Sequence, residues 1–160
     1  MTVRLLTISD YDDIYSLWLS CSGMGLNDID DSSQGVERFL KRNPETCFVS
    51  VENDADGESV ITGVIMAGND DRSVRPLFDG CRGYIYHTAV RPEYRHRGIA
   101  SELVNKAVSA LEARGIAKAA LLVFGRNTGA NAFWEKMGFT ERNDIIYRNK
   151  SLTEIVRIDT

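Results

Sequence analysis

The junction between an apolar run and an amphipathic helix constrains this chain more than any other feature. The run Tyr84–Val90 has the length of a strand, and a helical pattern begins near Gly98. The turn between them, Arg91–Arg97, carries three arginines and a histidine. The first N–H groups of a helix have no partner inside the helix and lie at the positive end of its dipole. The junction therefore predicts a site that binds anions.

Other interpretations of this turn are possible but fit less well. A solvated basic turn is one alternative, because clusters of exposed charge are common on protein surfaces. A Walker A loop requires Gly-x-x-x-x-Gly-Lys-Ser/Thr, which the sequence lacks. A Rossmann fingerprint requires Gly-x-Gly-x-x-Gly after the first strand, whereas Gly23–Gly25 follows a helical pattern.

Length and composition indicate one globular domain. A chain of 160 residues can bury a sizeable core, and we expect residues 1–160 to form a single domain. Hydrophobic residues at 43% and charged residues at 26% argue against disorder. A net charge of -4 disfavours a nucleic-acid partner, which usually requires a basic face. Because no apolar run is long enough to span a membrane, we expect no membrane partner.

The cysteines and histidines indicate neither a metal site nor a disulfide framework. Cys21, Cys47 and Cys81 lie far apart and form no Cys-x-x-Cys pair, and the chain has only two histidines. We therefore expect no metal. An odd number of cysteines without a signal peptide is typical of a reducing compartment, so we expect a cytoplasmic protein.

The first half of the chain predicts a strand, two helices and a hairpin. The strand covers Val3–Ile8, and Ser9 is expected to cap the helix that follows. Ser33 is expected to cap a second, short helix that ends before Pro44. The hairpin strands are Thr46–Glu52 and Val60–Ala67.

The second half predicts a loop followed by strand–helix units. The polar stretch Asn69–Cys81 is expected to close over a substrate. A helix follows from near Gly98 to Arg114, where Gly115 gives a stop signal. The remaining elements are a strand at Ala119–Phe124 covered on both faces, a helix at Thr128–Met137, closing strands at Phe139–Thr140 and Ile145–Tyr147, and an ambiguous tail at Thr153–Thr160 that pairs at a sheet edge or serves a dimer.

Two motifs resemble those of the GNAT superfamily of N-acetyltransferases. The first, Arg95-x-x-Gly98-x-Ala100, is similar to its acetyl-CoA pyrophosphate loop. The second, Asn127-x-x-Ala130-x-x-Phe133-Trp134-x-x-x-Gly138-Phe139, is similar to its Asn-x-x-Ala-x-x-Phe-Tyr-x-x-x-Gly-Phe pattern. The element order also resembles small bacterial acetyltransferases grouped near the ribosomal-protein alanine acetyltransferases. The resemblance implies a single-domain mixed α/β fold, with a mostly antiparallel sheet and a central splayed parallel strand pair flanked by helices.

The resemblance also implies acetyl-CoA as co-substrate and a set of residues that contact it. The backbone of Ala89 and Val90 would lie against the pantetheine arm, as if the arm were an added strand. Asn127 would contact the pantetheine, and the side chains of Phe133 and Trp134 would line the far end of the co-substrate site. The residues implied around the pyrophosphate are Arg95, His96, Arg97, Gly98, Ile99, Ala100 and Ser101.

The implied reaction is direct attack of a primary amine on the acetyl thioester. Tyr84 and Tyr86 occupy strand positions where relatives carry a base, and they are expected to order a water or orient the amine. Strand alternation directs His87 away from both tyrosines, which favours a packed, hydrogen-bonded histidine. Trp134 stands where the family often has an acidic tyrosine, so the general acid stays unassigned.

The acceptor, by the same resemblance, is a small-molecule amine or a protein N-terminal amine. The loop between the first two helices would border it, which makes Asn27 and Asp28 candidate substrate-binding residues, with Asp30 and Asp31 nearby. A solvated loop is the alternative. A homodimer is possible by analogy with relatives. Two other functions stay open: an acetyl-CoA sensor without turnover, and an α/β domain that binds a different phosphate ligand.

Overall fold

The computed structural model describes residues 1–54, 56–69 and 82–158, which form seven strands and four α-helices. The strands are β1 (Thr2–Leu5), β2 (Leu26–Asn27), β3 (Phe48–Asn53), β4 (Ser59–Asn69), β5 (Arg82–Val90), β6 (Lys118–Leu121) and β7 (Arg157–Ile158). The α-helices are α1 (Tyr11–Leu19), α2 (Ser33–Arg42), α3 (Ile99–Ala113) and α4 (Thr128–Lys136). Short 3-10 helices cover Ile8–Asp10 and Pro92–Tyr94.

The main sheet has the strand order β1-β3-β4-β5-β6. Its first three pairings are antiparallel, and only β5 and β6 run parallel. The predicted mixed α/β fold with a mostly antiparallel sheet and a parallel pair is confirmed. The pair lies at one edge of the described strands, not at the centre, because β6 pairs with β5 alone. A second, small sheet joins β2 to β7.

Two apolar clusters pack against opposite faces of the main sheet. One cluster lies under α1 and α2 and includes Ile14, Leu17, Trp18, Val36, Val64, Met66 and Ala89. The other lies under α3 and α4 and includes Ile65, Ala67, Ile85, Val90, Ile99, Leu103, Leu111 and Trp134. Along β4, consecutive residues alternate between the two clusters, as the pleat of a strand requires.

Strand β5 contains one more residue than the facing stretch of β4. Ile65 pairs with Thr88 and Ala67 pairs with Ile85, so Met66 alone faces both Tyr86 and His87. Such a β-bulge reverses which face later side chains occupy. Ile85 and Val90 therefore lie in the α3 cluster, although strict alternation would separate them.

The predicted helix caps were one or two residues off. Thr7, not Ser9, caps the first turn, where its side chain and that of Asp10 form a capping box ahead of α1. Ser32, not Ser33, caps α2, and its hydroxyl accepts the Gly35 N–H at 3.1 Å. In both cases a neighbouring hydroxyl competes for the same role.

The expected closing strands are wrong. Phe139–Thr140 and Ile145–Tyr147 are not strands, and the Ile146 side chain is 78% exposed. β6 is also shorter than expected and ends at Leu121, with Leu122 72% exposed. Because no described strand pairs with the outer edge of β6, apolar composition alone does not extend the sheet.

The tail of the chain pairs with the loop between α1 and α2. Leu26 lies opposite Ile158 and Asn27 opposite Arg157. The loop predicted at Asn69–Cys81 lies, beyond Asn69, outside the described residues. Among the described helices, none is both long and apolar enough to cross a membrane.

The Arg4–Asp10 ion pair fixes β1 to the start of α1 and gives a pH-dependent prediction. Burial raises the pKa of Asp10, but hydrogen bonds from Arg4 and Thr7 outweigh it and hold this pKa below its usual value of 3.8. A carboxylate with a lowered pKa stabilises the fold above that value, and the contribution is lost as the pH falls through the lowered pKa. We expect Asp10→Asn to lower the free energy of unfolding at pH 7 by about 1 to 2 kcal/mol.

Urea unfolding at pH 7 and at several values below pH 4 measures this effect. The wild type and the variant should converge in stability as the pH falls, because protonation removes the charge that the substitution removes. A constant difference across the series would contradict the ion-pair explanation.

Candidate active site

The parallel strands β5 and β6 separate partway along their length. Their pairing runs from Arg82 opposite Lys118 to Ile85 opposite Leu121, where β6 ends. β5 continues to Val90, still paired on its other side with β4. The stretch 86–90 therefore has an edge that no described strand covers. An open strand edge of this kind binds an extended ligand through backbone hydrogen bonds.

The open edge leads directly to the start of α3. The first described backbone hydrogen bond of this helix joins the Glu102 N–H to the Gly98 carbonyl at 3.1 Å. The N–H groups of residues 99–101 precede it and have no partner inside the helix. Gly98 has φ +81°, and a Cβ built there would meet no atom within 4 Å. Gly98 therefore borders open space at the positive end of the helix dipole.

Arg95 and Arg97 of the turn are exposed but partly engaged within the protein, and Arg97 Nη1 lies 3.8 Å from Glu52 Oε2. Arg95 donates from Nε to the Val90 carbonyl at 3.2 Å, and Arg97 donates from Nη2 to the Glu93 carbonyl at 3.1 Å. The Arg97 guanidinium also lies 4.9 Å from the centre of the Tyr94 ring. His96 has φ +62°, a left-handed conformation that is uncommon outside glycine. The turn thus presents positive charge beside the open helix start.

The start of α4 packs against the loop after α1. Asn127 caps the helix by accepting the Ala130 N–H at 3.1 Å. A Cβ built at Gly23 would lie 3.2 Å from Asn127 Nδ2, so the two segments touch. Trp134 is buried, and its ring centre lies 5.1 Å from those of Phe133 and Phe139. Trp134 is therefore mainly a core residue.

Tyr84 and Tyr86 belong to an aromatic wall on the α1–α2 side of the sheet. The Tyr86 ring lies 5.2 Å from the Phe39 ring of α2 and 6.4 Å from the Tyr84 ring. Tyr86 is 53% exposed. The wall thus places two tyrosine rings beside the open part of β5.

His87 lies on the same side of the sheet as both tyrosines, and the expectation that it points away from them is wrong. The β-bulge sets Tyr86 and His87 together against Met66, which faces α1 and α2. The imidazole packs against Trp18, with ring centres 4.8 Å apart. Its Nε2 lies 2.5 Å from Asp31 Oδ1. The expected hydrogen-bonded histidine is confirmed, but its position relative to the tyrosines is not.

Asp31 is a buried carboxylate at the end of the α1–α2 loop. Its Oδ2 accepts the Asn27 N–H at 2.7 Å, and its backbone carbonyl accepts the Tyr11 hydroxyl at 2.9 Å. Burial raises the pKa of Tyr11 above its usual 10, and Tyr15, Asp12 and Asp31 add to the rise. The Tyr11 hydroxyl therefore stays protonated and serves as a donor near neutral pH.

The side chains of Asn27 and Asp28 hold the loop and the tail in place. Asn27 Oδ1 accepts the N–H groups of Ile29 and Asp30 at 3.0 and 2.7 Å. Asp28 Oδ1 accepts the Val156 N–H at 2.9 Å, next to the β2–β7 pairing. These bonds occupy part of the polar capacity that sequence reasoning assigned to a substrate.

The spacing of two apolar residues in the sequence indicates the bulge in β5. Ile85 and Val90 are both bulky and apolar, yet they stand an odd number of positions apart, so a regular strand cannot bury both on one face. An inserted residue between them resolves the conflict. Recognising it would have placed His87 beside the tyrosines.

The described residues contain no group of three or more His, Cys, Asp or Glu side chains that could hold a metal ion. Cys21 and Cys47 are buried and unbridged, and burial raises the pKa of the Cys47 thiol to about 11. Such a thiol is protonated near neutral pH and is a poor nucleophile.

The open strand edge, the basic helix start and the neighbouring aromatic wall together form a candidate ligand site at one edge of an α/β sheet. Comparison with known proteins gives the family. Residues 11–139 match the model described as the Acetyltransferase (GNAT) family. Acetyltransferases of Sodalis glossinidius and Pectobacterium atrosepticum are 30% and 32% identical to this chain over 154 residues, covering 96% of this chain and 97% of each relative. The chain belongs to the GNAT family and is an acetyltransferase.

Solved structures with similar folds include several N-acetyltransferases. The NatC complex bound to Gag peptide and CoA contains a chain that aligns with a TM-score of 0.74 and 26% identity, covering 89% of this chain and 86% of that one. The aminoglycoside 6'-N-acetyltransferase of Acinetobacter haemolyticus aligns with a TM-score of 0.70 and 17% identity, covering 96% and 100%. The second likeness concerns the fold alone.

Gly35 of α2 gives a test of how tightly the Asp31 loop is packed. A Cβ built at Gly35 would overlap the backbone carbonyl groups of Ile29 and Asp30, whereas one built at Gly129 of α4 would meet no atom within 4 Å. We expect Gly35→Ala to lower the free energy of unfolding by about 1 to 3 kcal/mol, since backbone cannot yield as a flexible side chain does. Gly129→Ala, the matched control, should be neutral or stabilising by up to about 1 kcal/mol. If thermal melts gave the two variants equal stability, the Asp31 loop would have to shift to accommodate the added methyl group.

Proposed function

We propose that this protein transfers the acetyl group of acetyl-CoA directly to a primary amine, with residues 1–160 acting as one catalytic domain. The observation that carries the proposal is the continuity of two sites. The open edge at positions 86–90 of β5 runs into the unpaired N–H groups at the start of α3. An extended pantetheine and a pyrophosphate need these two kinds of site in this order.

The residues present fit the co-substrate. Ala89 and Val90 would bond the pantetheine through their backbone, and Asn127, which caps α4, would contact it as well. The NatC complex, which contains a similar chain, is bound to CoA, and this supports the assignment. Phe133 and Trp134 would act mainly by packing behind the site. The pyrophosphate would contact Arg95, His96, Arg97, Gly98, Ile99, Ala100 and Ser101.

The chemistry requires a neutral amine nitrogen. An alkylammonium has a pKa near that of lysine, about 10, so the acceptor must lose a proton before it attacks the thioester carbon. Tyr84 and Tyr86 lie where they would orient the amine or an intervening water. A backbone N–H of β5 would stabilise the oxyanion that forms.

The leaving thiolate does not need a strong acid. A thiol has a pKa of about 8.5, so its anion leaves readily compared with an alkoxide. Trp134 is largely buried among aromatic rings, and an indole N–H does not act as an acid near neutral pH. We propose that the thiolate leaves without direct protonation by α4.

The acceptor is either a small amine or a protein N-terminus. The peptide in the NatC structure supports the second of these. The wall of Tyr84, Tyr86 and Phe39 would receive the ammonium through its ring faces, a contact that suits any primary amine. Asn27 and Asp28 would shape the acceptor site chiefly by holding the loop.

A pair of glycines at opposite ends of α3 tests the co-substrate site. Gly98 and Gly115 both have positive φ, and a Cβ at either meets no atom within 4 Å. Leucine at either position therefore imposes similar backbone strain, about 1 to 2 kcal/mol. Only Gly98→Leu fills the space before the helix start, so we expect it to weaken acetyl-CoA binding about 100-fold, and Gly115→Leu less than 3-fold.

Calorimetric titration measures the acetyl-CoA affinity of both variants, with ATP and NAD as competing ligands. In thermal melts, acetyl-CoA at about 100 times its dissociation constant should stabilise the wild type by about 2.7 kcal/mol. Equal losses at Gly98 and Gly115 would place the co-substrate elsewhere. Equal stabilisation by all three ligands would indicate a generic anion site.

Tyr84→Phe and Tyr86→Phe test the hydroxyl groups of the wall. Each should lower kcat about 10-fold with an amine acceptor, because the hydroxyl no longer orients the amine or its water, and leave the acetyl-CoA affinity unchanged. The reaction rate is measured from the release of the free CoA thiol. Full turnover in both variants would remove these hydroxyl groups from the mechanism.

A further inference from the structure

We propose that the imidazole of His87, held by Asp31, takes the proton from the acceptor amine. This inference rests on the proposed function and assigns the base that direct attack requires. His87 and Asp31 are called the His87–Asp31 pair below. Their Nε2–Oδ1 distance is 2.5 Å.

The β-bulge gives the pair its position. The last residue of β5 that pairs with β6 is Ile85, and His87 lies two positions further along the open stretch. The bulge places its side chain on the face that carries Tyr84 and Tyr86. His87 therefore stands beside both the proposed pantetheine edge and the aromatic wall.

Asp31 determines which nitrogen of His87 can accept a proton. An ionised carboxylate only accepts hydrogen bonds, so Nε2 carries the proton in this pair. The lone pair of the neutral imidazole is then on Nδ1, and no described residue hydrogen-bonds that nitrogen. The His87 side chain is 19% exposed, against 4% for Asp31. The exposed partner is thus the one with a free proton-accepting atom.

The surroundings of the pair favour a fixed geometry. The second carboxylate oxygen of Asp31 accepts the Asn27 N–H at 2.7 Å, and Trp18 packs on the imidazole. Trp18 is fully buried, and its Nε1 has no hydrogen-bond partner among the described residues. A buried carboxylate also stabilises the imidazolium that forms when Nδ1 gains a proton, as the aspartate of a catalytic triad does.

The proton and electron balance is complete with the proposed substrates. The ammonium of the acceptor gives one proton to Nδ1, and the freed nitrogen lone pair forms the C–N bond to the thioester carbon. The C–S bond then breaks, and its electron pair leaves with the sulfur as thiolate. The second nitrogen proton passes to that thiolate, directly or through water. The imidazolium returns its proton to solvent, so one proton is released in each turnover.

The pair predicts a loss of activity that depends on the basicity of the acceptor. With a strongly basic amine, His87→Gln should lower kcat about 100-fold, the usual size of a general-base contribution. With an amine that is already neutral at the assay pH, the loss should fall below about 5-fold, since no proton needs to be removed before attack. A role in packing alone would lower both rates equally.

The experiment measures kcat and KM for ethanolamine, glycinamide and methoxyamine, in order of falling basicity. It compares the wild type, His87→Gln and Asp31→Asn. An asparagine amide would donate to Nε2 and move the imidazole proton to Nδ1, so Asp31→Asn should show the same dependence on basicity. Asp10→Asn is the control, because it removes another buried carboxylate that binds Arg4 away from the pair. It should lower stability without any dependence on the amine.

The outcomes separate the inference from the function on which it rests. Wild-type protein that acetylates none of the three amines and no short peptide overturns both. Wild-type turnover with a loss that is absent, or equal for all three amines, overturns the base assignment and leaves the transferase intact. If His87→Gln fails to fold, the Asp31→Asn series decides between the same results. In folded variants acetyl-CoA affinity should stay within about 2-fold of the wild type.

Discussion

One extra residue in β5 governs the arrangement of the site. Without it, alternation would place His87 on the α3 face, away from the α1–α2 loop, and would separate Ile85 from Val90 in the core. With it, each face of the sheet keeps its apolar cluster, and three polar side chains, Tyr84, Tyr86 and His87, lie on one side of an open strand edge. The bulge interrupts the β4–β5 ladder, and it begins just where β5 loses its β6 partner on the opposite edge. Packing and site geometry therefore have a common cause.

In the proposed site, the co-substrate is bound mainly by backbone groups and the acceptor mainly by side chains. The proposed co-substrate site consists mainly of strand edge and helix N–H groups, which keep their charge and direction at any ordinary pH. Arginines add charge that also does not titrate. The proposed acceptor site depends instead on side chains that bind or move a proton. On this proposal, glycine at Gly98 serves the co-substrate site and the carboxylate of Asp31 serves the acceptor site.

The sequence predicts the parts of the fold that depend on local pattern. Gly98 and Gly115 mark the ends of α3, and the junction at Arg95–Ala100 lies where the motif predicts it. The sequence pattern does not predict features that depend on pairing between residues far apart in the chain. Ile145–Tyr147 has the composition of a strand but pairs with no described strand, and the position of His87 depends on register against β4. The Asp31 carboxylate, far away in the chain, becomes its partner only through the fold.

The tail of the chain binds the loop between α1 and α2. β7 pairs with β2, and Asp28 binds the Val156 backbone, at the loop that ends in Asp31. The oxygens of Asn27 and Asp31 are likewise occupied within the loop. A carboxylate already engaged by backbone N–H groups and an imidazole attracts a cationic acceptor weakly. In the proposed mechanism, recognition of the amine therefore falls to the aromatic wall, whereas Asp31 fixes the imidazole that would remove the proton.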